Sequence, residues 1–148
     1  MSATRQDNGG AALIKSETAL AERLSHLEQM QRAEHPETMA ACFDFGEFLH
    51  KTSNLGHAGL IYDRILHACG KSHPNLNPRL APNTLNNLGN LLKSQGKIAE
   101  AERAYQRELD QHAKISTVDT EDSLRVVYTL GIYNRDVGNF AAAEFFYK

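Results

Sequence analysis

The chain has 148 residues, enough for one domain of ordinary size or a short array of stacked repeats, and two independent domains would be cramped. Hydrophobic residues make up 41% and charged residues 23%, a composition that folds rather than stays disordered. With a net charge of −2 and a pI near 6.4 there is no global positive field, which excludes nucleic acid and an anionic membrane surface as partners.

Residues 1–14 read as a flexible N-terminus. Met1–Gly10 has no apolar core for a secretory signal, and no stretch approaches the roughly 20 apolar residues of a membrane span, so a cytoplasmic protein without direct membrane insertion is expected. Residues 15–148 read as one helical-repeat domain. A leading helix over 15–34 carries Leu20, Leu24, Leu27 and Met30 at helical spacing and resembles the second helix of an incomplete repeat. A repeat over 35–80 follows, opened by His35-Pro36, with Leu60, Ile61, Ile65, Leu66 and Cys69 as one helix face and a loop at 72–78. The next repeat, 81–120, has Pro82 in a first turn, Gly96 at a tight reversal, and Ile98, Ala101, Ala104, Tyr105 and Leu109 as a face. A truncated repeat, 121–148, turns at Gly138. Alternating strand patterns are almost absent, so the fold class is all-α.

The segments superimpose. Phe45-Gly46, Leu88-Gly89 and Leu130-Gly131 align at intervals of 43 and 42 residues, and twelve residues after each glycine stands an alanine, Ala58, Ala101 or Ala143. Four residues further is a tyrosine, Tyr62, Tyr105 or Tyr147. The small residues allow two antiparallel helices to approach closely, and the tyrosine is expected to fill the space between one hairpin and the next.

These residues resemble the tetratricopeptide repeat, with its small residue in the first helix, alanine early in the second and an aromatic one turn later. The 42-residue spacing, with His35-Pro36-Glu37-Thr38, Thr84-Leu85-Asn86-Asn87-Leu88-Gly89 and Gly96-Lys97-Ile98-Ala99-Glu100-Ala101-Glu102, looks most like the kinesin-light-chain-like branch. The resemblance covers about 35–148. It departs at Ser53-Asn54, where glycine is usual, and it implies a right-handed superhelical array of antiparallel hairpins, a solenoid of about three repeats.

No catalytic or metal chemistry emerges. Gly70-Lys71-Ser72 lacks the earlier glycine and the strand of a phosphate-binding loop, with Ile65 where that glycine should stand, and reads as a helix C-terminus. His67 and Cys69 point in different directions on a helix and, with His73, lack a fourth ligand. Cys42 faces inward as a packed thiol, and both cysteines are expected reduced. Glu121-Asp122 begins a helix, where negative charge complements the dipole. No cofactor is expected.

Function then falls to surfaces that bind a protein or peptide, as in an adaptor or scaffold. In such arrays first helices line a concave groove. Here it would carry Phe43, Glu47 and His50, then Asn83, Asn86, Asn90 and Lys93, then Arg125, Tyr128 and Arg135. Asparagine both donates and accepts, so the Asn83, Asn86, Asn90 ladder suits the backbone of an extended peptide. The family's clamp for acidic chaperone tails is not reproduced, because Phe43, Glu47, Asn87, Arg125 and Thr129 stand at its places and only Asn87 and Arg125 suit it. An alternative is a structural subunit docking by an end or its convex face into a larger assembly. The C-terminal edge Phe145-Phe146-Tyr147 would then be an apolar interface for assembly.

Overall fold

A computed structural model of the chain describes residues 7–30, 33–71, 73, 75–115, 120–136, 138, 139, 141, 143 and 144. Among them are six helices and no strand: α1 Asp7–Met30, α2 Pro36–Lys51, α3 Leu55–Gly70, α4 Leu80–Ser94, α5 Ile98–Ile115 and α6 Thr120–Asp136. The expected all-α fold of helix hairpins is the fold observed. The chain divides into two compact units, Met1–Leu76 and Asn77–Lys148.

In the first unit α2 packs antiparallel to α3 and α1 packs on α2. Helix α1 begins eight residues before the leading helix expected at 15, with Ser16 and Thr18 hydroxyls donating to the carbonyls of Ala12 and Ile14. Leu24 is its buried anchor, whereas Leu13, Ile14 and Met30 stay exposed. Pro36 occupies the first turn of α2, where its missing N–H costs nothing, and the His35 ring accepts from the Glu37 amide. The core comprises Met39, Ala41, Cys42, Leu49, Ala58, Tyr62, Ile65 and Ala68. Leu60 departs from expectation. It is 67% exposed, because burial follows the stripe Ala58, Tyr62 and Ile65, and a residue two positions from that stripe faces away from it.

In the second unit α4 and α5 form the hairpin and α6 packs on α5. Tyr105, Ala101 and Leu130 cluster in its core, with Leu92 and Leu109 against them. Tyr105 thereby meets α6, as the reading of a tyrosine between hairpins requires. The ring has a second, closer role within its own hairpin. A Cβ built on Gly89 would lie 2.5 Å from Tyr105 Cε1, and one on Gly46 would lie 2.7 Å from Tyr62 Cε1. Each tyrosine is 1% exposed or less and lies against the glycine of the facing helix.

The turns also repeat. Ser53, Gly96 and Gly138 hold positive φ of 63°, 74° and 80°. Their amides bond to the carbonyls of His50, Lys93 and Arg135, and the next amides reach back to Leu49, Leu92 and Asn134 at 2.8–2.9 Å. This double closure of a helix end normally selects glycine. Ser53 adopts it with a side chain, at a cost of about 1 kcal/mol.

Two predictions follow the packing and the turn. Gly89→Ala should destabilise by about 1–3 kcal/mol. Gly59→Ala, mid-helix in α3 with open space around the added Cβ, should stabilise by about 0.5–1 kcal/mol, and thermal melts reading the same sign for both would refute the close-approach argument. Ser53→Gly should raise the melting temperature, by up to about 1 kcal/mol of stability. A lowered melting temperature would show that Ser53 makes a contact outweighing its backbone strain.

Candidate functional site

The polar residues of α4 do not all face outward. Asn83 and Asn90 are exposed, and Asn86 is half-buried and donates from Nδ2 to Glu108 Oε2 on α5 at 3.1 Å. Asn90 donates from Nδ2 to Asn86 Oδ1 at 3.3 Å and accepts at Oδ1 from the Tyr105 hydroxyl at 2.6 Å. Glu108 is fully buried, and His112, 6% exposed, brings its Nε2 to 3.7 Å from the other carboxylate oxygen. Asn86 and Asn90 are therefore the surface end of a buried hydrogen-bond network, and part of their bonding capacity is used internally.

Beside it on α6, Leu124 and Tyr128 are 66% and 61% exposed, one turn apart on one stripe. Arg135 lies two turns beyond Tyr128 on the same stripe, exposed, with Nη2 3.3 Å from Asp136 Oδ1. Lys93 of α4 reaches Asp136 Oδ2 at 3.7 Å, joining the ends of the two helices. Two cations share one carboxylate, so these three side chains keep a net positive charge. Exposed pairs of this kind contribute at most about 1 kcal/mol and open readily. Asn134 is fully buried, donates to the Leu130 carbonyl and accepts from Asn139, so it supports the turn and not the surface. The side chain of Arg125 and the edge Phe145, Phe146 and Tyr147 lie outside the described residues.

In the first unit Phe43, Glu47 and His50 are all half-buried. Glu47 pairs with Lys51 at 3.9 Å, and the His50 ring meets Tyr62 edge-on at 6.3 Å, so part of each is engaged within its own hairpin. Glu34 accepts from Lys71 Nζ and pairs with His73 Nε2, each at 2.6 Å. Those hydrogen bonds, Lys71 foremost, hold its carboxyl below the usual carboxylate range. Lys71 thus serves a surface ion pair and His73 a carboxylate. Burial pushes the thiols of Cys42 and Cys69 up, so neither has the character of a nucleophile. Among the described residues no three His, Cys, Asp or Glu side chains are placed to hold a metal ion, and no helix is long and apolar enough to cross a membrane.

Residues 80–148 match the family described as tetratricopeptide repeat. The match places α4, α5 and α6 within a tetratricopeptide-repeat pattern. The crystal structure of BtubC (BKLC) from P. vanneervenii is similar at a TM-score of 0.72, with 16% identity over 92% of this chain and 54% of that one. A Podosopora anserina structure described as putative kinesin light chain nearly identical TPR-like repeats is similar at 0.73, with 14% identity over 94% of this chain and 65% of that one. At these identities the likeness is one of fold, and the chain spans 54% to 65% of the length of those chains. No curated protein sequence matches it significantly.

Tetratricopeptide repeats generally mediate protein–protein interaction, and the fold is typically a non-catalytic scaffold. In this repeat pair the residues missed in sequence are Glu108 and His112. A signal for Glu108 was present: it stands 43 residues after Ile65, so the register puts a carboxylate where the first hairpin has isoleucine.

Proposed function

We propose that the chain is a protein-interaction module whose second unit takes an extended protein segment along the first helices of its repeats. The observation that carries the reading is the α6 stripe, two large apolar side chains more than 60% exposed and one turn apart, beside a cationic patch and the exposed amides of Asn83 and Asn90. Apolar anchors ringed by polar groups are what interfaces present before a partner arrives. Lys93 and Arg135 favour a segment with some acidic character. Because their pairs with Asp136 are weak, a partner's carboxylate can displace it.

Leu60, 67% exposed on α3, supports the competing reading of docking by an outer face. A photo-crosslinking side chain placed at Tyr128 or at Leu60 of the intact chain, in the cells that produce it, separates the two. Crosslinking to a protein from position 128 and not from 60 is expected. Tyr128→Ala should weaken that association by about 2 kcal/mol, roughly 30-fold. Crosslinking from 60 alone would replace the groove reading with outer-face docking.

A further inference from the structure

The register that aligns Gly89 with Gly46 also aligns Glu108 with Ile65, Asn86 with Phe43 and Asn90 with Glu47. Ile65 and Glu108 are both fully buried. One place in the fold is thus filled by hydrocarbon in the first hairpin and by a carboxylate in the second. The fold does not require the carboxylate, and taking one out of water is costly unless partners receive it.

What the carboxylate adds is direction. An ionised carboxylate accepts hydrogen bonds and cannot donate them, so in that form Glu108 holds the Asn86 amide nitrogen toward itself and the Asn86 carbonyl toward Asn90. Asn90 must then give its nitrogen to Asn86 and its carbonyl to the Tyr105 hydroxyl. Without an acceptor-only group at 108 each amide could turn over, since an amide and a hydroxyl can exchange donor and acceptor roles. One hydrogen on Asn90 Nδ2 is used by Asn86, which leaves the second as a donor at the exposed end of the network.

We propose that Glu108 is a positioning residue of the interaction face: acting through Asn86, it holds Asn90 in the orientation that offers an N–H donor to a backbone carbonyl of an extended protein segment lying along α4. This rests on the interaction reading of that face. Asn83 lies seven residues earlier on the same stripe, about 10.5 Å along the helix axis. That distance is close to three residues of a segment in the extended polyproline II conformation at about 3.1 Å each, in which every third carbonyl points the same way. Two amides so spaced can meet two carbonyls of one segment.

The test transplants the first hairpin's solution into the second, Glu108→Ile with Asn86→Phe, in the intact chain. The probe is a set of peptides selected on the parent chain from a displayed library of random 12-residue sequences and then synthesised. We expect the double variant to melt at or above the parent temperature and to bind the peptides at least tenfold more weakly, as Asn90→Ala does. The Asn90 side-chain amide should give two NMR signals in the parent, the hydrogen bonded to Asn86 exchanging with water more slowly than the open one, and that difference should be lost in the variant. Should the double variant fail to fold, Glu108→Gln serves, since glutamine can donate as well as accept. Two sets of Asn90 amide signals and at least twofold weaker binding are expected there. Peptides that depend on Tyr128 but bind all Glu108 and Asn90 variants like the parent would overturn the positioning role and leave the interaction face standing. Unchanged Asn90 amide signals in the Glu108 variants would also overturn it. A library that yields no Tyr128-dependent peptide would overturn the face and this inference together.

Discussion

A tyrosine ring can lie against the backbone of a neighbouring helix only where the facing residue carries no side chain, and both complete hairpins of this chain are built on that condition. Tyr62 rests on Gly46 and Tyr105 on Gly89, each with ring carbons where a Cβ would otherwise stand. Burying one such side chain removes about 150–250 Å² from water, worth up to about 4–6 kcal/mol. That gain exists only at the short interhelix distance that glycine allows. Ala58 and Ala101, both fully buried one turn earlier on the second helices, keep the same distance open toward the turn. The three matching turns deliver the second helix at the angle that makes the contact.

The contact at Gly89 also links fold to surface. Packed on the glycine, the Tyr105 ring delivers its hydroxyl to Asn90, which places the aromatic core and the polar network in one element. Glu108, Asn86 and Asn90 continue that network to the exposed stripe of α4. A wholly apolar interior, as at Phe43 and Ile65, would hold two helices together equally well. A buried carboxylate with its amide partners adds orientation to the amides at the surface end of the network. The neighbouring α6 stripe supplies complementary features: apolar area at Leu124 and Tyr128, and positive charge at Lys93 and Arg135.

Much of the fold was legible because repetition made each inference three times. Glycine, alanine and tyrosine recur at fixed offsets, and a physical reading of one hairpin transfers to the next. Ser53 shows the same legibility from the other side: the register demanded a positive φ there, and the backbone adopts it despite the side chain. Periodicity alone was a poorer guide to burial. Leu60 fitted a list of apolar residues yet faces outward, because hydrophobicity does not report which of two nearby stripes a neighbouring helix covers. The candidate surface was legible in part. Asn83, Lys93, Tyr128 and Arg135 are exposed where counting from the glycines put them, whereas the inward bonds of Asn86 and Asn90 depend on Glu108, a residue 22 positions away from Asn86. Pairings across a hairpin are invisible to a reading that treats each helix by itself.

The central claim is that the absence of a side chain at position 89 matters because of the ring at position 105, and a double-mutant cycle measures this directly. Gly89→Ala is introduced into the parent and into a Tyr105→Leu background, and stability is read by denaturant unfolding in all four proteins. The account predicts a penalty of about 1–3 kcal/mol in the parent. In the leucine background, where only the helix-propensity gain remains, it predicts a vanished or reversed effect. An equal penalty in both backgrounds would contradict it, since the cost would then arise at position 89 without the tyrosine.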